Sequence, residues 1–291
     1  LIAHLERSYG VHYAEGGMGA LVRGLVGLIE GQGGQLRYNA PVAEIRVKEG
    51  RACGVRLESG ELIESEVVVS NADVATTYGK LLGSTPRRRW TDAKLARADY
   101  SMSLFVWYFG TRLRYDHVYH HTMVLGGRYR ELLTDIFERK HLADDFSLYL
   151  HRPSASDPSL APPGCDSFYV LAPVPHLDSG TDWRKHAEPY RAAVQRRQES
   201  TVLPGLRDAL TTSLMLTPLD FRDRLASEKG AAFAMEPKLF QSAWFRPHNR
   251  SEEVEGLYLV GAGTHPGAGL PGVVSSAKIL DKIVPPPSRP G

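Results

Sequence analysis

Apolar positions fall into three kinds of pattern along the chain. Met18, Leu21, Val22, Leu25, Val26, Leu28 and Ile29 recur at helical spacing behind Glu15-Gly16-Gly17, which predicts a helix that Gly31, Gly33 and Gly34 terminate. Such a face is expected to be buried against a sheet. Alternation then takes over: a short strand at 35–38 is followed by segments at 42–47, 52–57 and 61–64, with turns at Glu49-Gly50 and Ser59-Gly60. On this reading Val42 faces inward. Residues 67–70 form a continuous apolar run, the pattern of a strand buried on both faces of a parallel sheet.

Beyond Asn71-Ala72-Asp73 the character changes. Strands are expected at 101–109, 146–150 and 168–172, and helices at 129–140, 183–200 and 221–226, the last capped by Thr217 ahead of Pro218. The strands suggest an antiparallel sheet, either ordinary core or the wall of an apolar tunnel. The chain closes with a strand at 257–260, a glycine-rich loop and a helix-compatible run at 271–283. The predicted class is α/β with an α+β insertion. The expected organisation is a first part at 1–75, an inserted domain at 76–240, a return at 241–284 and a disordered tail at 285–291.

The loop is where chemistry is concentrated. Gly261, Gly263, Gly267, Gly269 and Gly272 remove side chains where a planar or phosphorylated ligand would lie against main-chain N–H groups. Pro271 suits a first helical turn, and the free N–H groups there aim partial positive charge at the loop. From Gly261 the run Gly-Ala-Gly-Thr-His-Pro-Gly is one residue longer than the dinucleotide fingerprint GxGxxG. His265 lies inside it, a candidate proton acceptor or ligand-orienting group, or a loop side chain bonded to backbone.

Composition narrows the setting. With 291 residues and 42% hydrophobic content, the chain can bury a sizeable core. Its 35 basic and 33 acidic residues balance to +2, which gives no electrostatic footprint for nucleic acid. Cys53 and Cys165 are the two cysteines, so there is no disulfide framework, which suits a reducing compartment. No apolar run is long enough to span a membrane as a helix, so membrane contact is expected to be peripheral. Arg87-Arg88-Arg89-Trp90 is one candidate for such contact, or a solvated turn. His117, His120 and His121 lie close together, with 117 and 121 at helical spacing. No third ligand is evident, so no metal site is expected.

The run Gly256 to Ser276, GLYLVGAGTHPGAGLPGVVSS, closely resembles the C-terminal flavin signature of bacterial-type, lycopene-forming phytoene desaturases within the carotenoid and retinoid oxidoreductases. The resemblance extends through YGVHYAEGGMGALVRGL, VVVSNADV, DDFSLYLHRP, FYVLAPVPHL and QSAWFRPHNR, in order and over nearly the whole chain. Relatives open with a strand, GxGxxG and a helix. Such a segment does not precede Leu1 here, so the chain is expected to be the C-terminal portion of a longer enzyme.

The resemblance implies a partial Rossmann-like FAD-binding domain with an inserted substrate domain of antiparallel sheet and helices. It implies FAD as cofactor, phytoene and its partly desaturated intermediates as substrates, and a peripheral position on the cytoplasmic face of a bacterial membrane. A homo-oligomer is compatible with it. The residues expected at the flavin are Gly261, Gly263, Thr264, Gly269, Leu270, Pro271, Gly272 and Val273, with the Val42 backbone beside the adenine. Desaturation removes a hydride from one carbon and a proton from its neighbour; no side chain accepts a hydride reversibly, so that step belongs to a cofactor. An isomerase or another terpenoid oxidase of the same fold, or a lipid-binding module without turnover, are the competing readings.

Overall fold

The computed structural model describes residues 2–286. Residues 287–291, the greater part of the tail expected to be disordered, lie outside the described residues.

Three sheets organise the described residues. β1 (Val42–Lys48), β2 (Arg51–Leu57) and β3 (Leu62–Glu64) form an antiparallel meander. The turns are where the sequence places them, with Glu49 and Gly50 both at positive φ. β4 (Val68–Ser70) then pairs in parallel with β10 (Leu257–Leu259) from the far end of the sequence. Between them the chain builds a five-stranded antiparallel sheet from β5 (Ser103–Thr111), β6 (His121–Val124), β7 (Leu148–His151), β8 (Asp166–Val174) and β9 (Leu210–Leu216), in the order β6-β7-β8-β5-β9.

The large sheet has unlike faces. Phe105, Trp107 and Phe109 of β5 lie opposite Ala172, Val170 and Phe168 of β8. That face packs under the helix Trp183–Glu199, where Trp183 stacks on Phe105 at 6.0 Å. The other face carries Tyr108 opposite Tyr169, His151 opposite Tyr169 and Met123 opposite Tyr149. Strand alternation produces this division. Thr217 caps the helix Pro218–Leu225 as expected, with Asp220 accepting from the Thr217 N–H and hydroxyl at 2.7 and 3.0 Å.

A second core gathers under β1, β2, β4 and β10, with Tyr78, Trp90, Tyr100 and Met235 buried in it. Trp90 is therefore not an interfacial residue. It is 3% exposed, lies parallel to Tyr78 and donates its indole N–H to Glu252. The N–H groups of Arg88, Arg89 and Trp90 all converge on the Glu253 carboxylate. Of the two readings offered for this basic run, membrane contact or a turn, the contacts are those of a turn, clamped by two acids.

Four other expectations are corrected. Residues 35–38 form no strand, because no partner strand pairs with them among the described residues. The helix Gly17–Gly31 forms as its periodicity predicts, but its apolar face is open: Val22, Leu25 and Leu28 are more than half exposed. Val42 is exposed rather than inward, since it opens an outer strand opposite Leu57. Val69 is 47% exposed, so β4 is buried on one face only. β6 and β9 were not legible; β6 is four residues long, and most of β9 is exposed.

Candidate functional site

β10 is buried throughout, and the chain leaves it through Val260, whose N–H donates to Ser70 O at 3.0 Å. The loop that follows is held from behind. Asn249 donates to Leu259 O and His265 O at 3.1 and 3.0 Å, and the His265 N–H donates to Pro247 O. Arg246, 2% exposed, donates to Ala262 O and Met235 O at 2.6 and 2.9 Å. Burial lowers the Arg246 pKa, and the neighbouring Asp73 opposes that shift. Asp73 is itself raised by burial, partly offset by the Ala75 N–H it accepts. A cation and an acid thus sit behind the loop, Arg246 buried and Asp73 half-buried. Arg246 and Asn249 lie in the run QSAWFRPHNR, where spacing alone does not single them out. Their signal is polar side chains in a run directly upstream of a buried strand.

The helix Leu270–Ile283 begins where the loop ends. Its one buried residue, Ser276, accepts the Gly261 N–H at 2.9 Å and donates to Val273 O at 2.6 Å, tying the helix to the strand exit.

The expected cofactor residues divide into two groups. Gly261, Gly263 and Thr264 face the protein itself. A Cβ on Gly261 would stand 2.3 Å from Asn71 Oδ1, and one on Gly263 2.8 Å from Val74 Cγ2. Thr264 is 1% exposed and its hydroxyl donates to Gly261 O at 3.1 Å. Gly269, Leu270, Pro271, Gly272 and Val273 form the helix start, where Gly269, Leu270 and Pro271 are exposed. Gly269 has φ 94° and open space where a side chain would be. Gly272 is bare for another reason: its Cβ would meet Gly267 O at 2.6 Å. Val42 lies in the three-stranded meander, a different sheet from the loop's strand. His265 sits mid-loop, and its Nδ1 is buried without a hydrogen-bond partner.

Beside Pro266, Gly267 and Ala268 opens a cavity of about 540 Å³. Met102, Phe137, Phe233 and Pro237 line it, with Ser101, Ser242 and Arg246 as its polar members. The geometry offers an exposed helix N-terminus with unpaired N–H groups, a bare glycine approach and an apolar chamber against the same loop. It can place a flat, electron-rich ligand at the helix start and an apolar molecule next to it.

The histidine cluster differs from the expected one. His117 is diverted to Val202 O at 2.9 Å, and β6 is a strand, so helical spacing does not apply. β-sheet register instead brings His121 opposite His151, with His120 immediately before it. The Nε2 atoms of His120 and His151 are 2.7 Å apart. Burial and the two neighbouring imidazoles push His151 down to about 4, and burial lowers His120 as well. His151 joins the group through sheet register across 30 residues, which no sequence spacing reveals.

Residues 1–279 match the family described as flavin containing amine oxidoreductase. The chain is similar to the neurosporene-forming phytoene desaturase of Cereibacter sphaeroides, 52% identical over 290 residues, covering 98% of this chain and 56% of that protein. It is similar to the lycopene-forming phytoene desaturase of Pseudescherichia vulneris, 53% identical over 285 residues, covering 98% and 58%. The chain spans about half the length of the curated relatives it matches. An oxidoreductase structure from Methanosarcina mazei shares the fold, with TM-score 0.62 at 18% identity, covering 92% of this chain and 55% of that one.

Proposed function

This chain belongs to the family of flavin-containing amine oxidoreductases, and on that premise we propose that it is part of an FAD-dependent desaturase converting phytoene towards lycopene. What carries this is one junction: the glycine loop runs from a buried parallel strand into an exposed helix start, and an apolar cavity abuts the same loop.

The residues present fit a flavin. Gly269 leaves open space at the helix start, and His265 Nδ1 is a buried polar atom without a partner. Gly269, Leu270, Pro271, Gly272 and Val273 would hold it there, while Gly261, Gly263 and Thr264 shape the loop beneath. When bound, FAD supplies the hydride acceptor that side chains lack. The first-turn N–H groups of the helix and the buried Arg246 stabilise negative charge at that end of the loop. Met102, Phe137 and Phe233 exclude water and align a hydrocarbon against the loop. His265 Nδ1 is the proposed acceptor of the proton lost from the adjacent carbon.

A substrate this apolar partitions into lipid, so the protein is proposed to work as a peripheral protein on the cytoplasmic face of a bacterial membrane. No helix among the described residues is long and apolar enough to cross a membrane. Exposed Leu239, Phe240 and Trp244 support contact with a lipid surface.

The test is to titrate with FAD a protein extended upstream of Leu1 to the length of its relatives, following flavin absorbance, and then supply phytoene in liposomes and separate the products by chromatography. Retained flavin and accumulation of lycopene are expected. A folded protein that neither retains FAD nor consumes phytoene refutes the proposal; neurosporene as end product corrects only the number of steps.

A further inference from the structure

We propose that His120, His121 and His151 form a binding site for a divalent d-block cation such as Zn²⁺. Each residue offers a ring nitrogen, and the three nitrogens lie within 4.8 Å of one another. His121 opens β6 directly opposite His151 at the end of β7, so hydrogen-bonded backbone fixes two of the three. The third, His120, presents Nε2 at 2.7 Å from His151 Nε2. At that distance an N–H···N hydrogen bond joins the two rings, and a tetrahedral cation bound at about 2.0–2.1 Å would replace that proton and part the nitrogens to about 3.3 Å.

The outer nitrogens point to ligation. His120 Nδ1 lies 2.6 Å from the Ser156 hydroxyl, and His121 Nδ1 lies 2.6 Å from the Tyr149 hydroxyl. A ring whose Nδ1–H donates to oxygen is held as the tautomer with a free lone pair on Nε2, the arrangement that orients histidine ligands in metal sites. Aromatic rings wall the group: Tyr13 lies edge-on to His120 at 4.6 Å, and Tyr169 lies 4.5 Å from His151. His151 is 6% exposed and its Nδ1 is buried without a partner, a polar group that hydrogen bonding alone leaves incompletely satisfied.

Three neutral imidazoles are a donor set suited to Zn²⁺. They leave a fourth tetrahedral position for water or a small ligand. This proposal stands on the cluster's own geometry and does not depend on the flavin reading.

The test is calorimetric titration of the chelator-treated protein with Zn²⁺ alone. One equivalent per chain is expected to bind at micromolar concentration or tighter. His121→Ala, an exposed residue on an edge strand, is expected to weaken binding at least 100-fold, and His151→Gln to abolish it, with unchanged far-UV circular dichroism. Tyr149→Phe removes the oxygen behind His121 and is expected to weaken binding roughly 10-fold. His186→Ala, an exposed histidine outside the cluster, is the control and is expected to bind as the parent does. Absence of stoichiometric binding overturns the proposal and leaves a histidine trio joined by hydrogen bonds. So does binding that survives His121→Ala, or that falls equally in His186→Ala. Should His151→Gln fail to fold, His121→Ala alone decides.

Discussion

Gly263→Ala separates a glycine needed by a ligand from one needed by the protein. Gly263 has no left-handed φ, so the added methyl meets sterics alone. Its Cβ would stand 2.8 Å from Val74 Cγ2 and 3.6 Å from Ala234 Cβ. Val74 is 1% exposed and cannot swing into water. Overpacking a site of this kind destabilises by about 1–3 kcal/mol. Val74→Ala by itself removes two buried methyl groups, at about 0.8 kcal/mol each, and leaves a small void. In the double variant the new methyl enters that void. The pair is therefore expected to be less destabilising than the sum of the singles by about 1–2 kcal/mol, well beyond the ~0.5 kcal/mol scatter of independent sites. Urea denaturation followed by tryptophan fluorescence gives the three stability differences. FAD titration of the same proteins gives the functional half: binding is expected to fall in Gly263→Ala and return in the double variant. Additive stabilities would refute the packing argument. Restored stability without restored flavin binding would show that Gly263 approaches the ligand directly.

Two further outcomes follow from buried groups. Desolvation first, then Lys140 and Lys229, push His176 down to about 4, against the opposing pull of Asp178 and Asp99. The unfolded chain therefore takes up a proton near pH 6.5 that the folded chain resists. His176 contributes fully above that pH, and its contribution, on the order of 3 kcal/mol, is lost as pH falls towards 4. His176→Gln is expected to flatten stability against pH across this window, read from urea midpoints at each pH; an unchanged slope would contradict the assignment. Trp90→Ala is expected to destabilise by about 3–5 kcal/mol, since it empties a site stacked on Tyr78 with the Lys94 ammonium 3.8 Å from the ring centre. Liposome sedimentation of the folded fraction is expected to be unchanged, and a selective loss of sedimentation would restore the interfacial role.

Local chemistry wrote much of this protein into its sequence. The helix Gly17–Gly31, the meander turns at Glu49-Gly50 and Ser59-Gly60, the Thr217 cap and the strand-loop-helix order at 257–283 depend on neighbours within a few residues. The family was legible for the same reason, because the glycine loop is one contiguous run. Tertiary structure decided what each residue faces. Trp90 beside three arginines reads as a surface residue until Glu252 and Glu253, some 160 positions away, bury it. Five loop glycines look alike in sequence, yet Gly263 is small because of Val74, Gly272 because of Gly267 O, and Gly269 because of its own φ. His151 joins His120 and His121 only because β6 and β7 pair in one register, and a slip of one residue would turn His151 to the other face of the sheet. Spacing along the chain carries backbone preference, but the partner of a side chain is set by which strands pair.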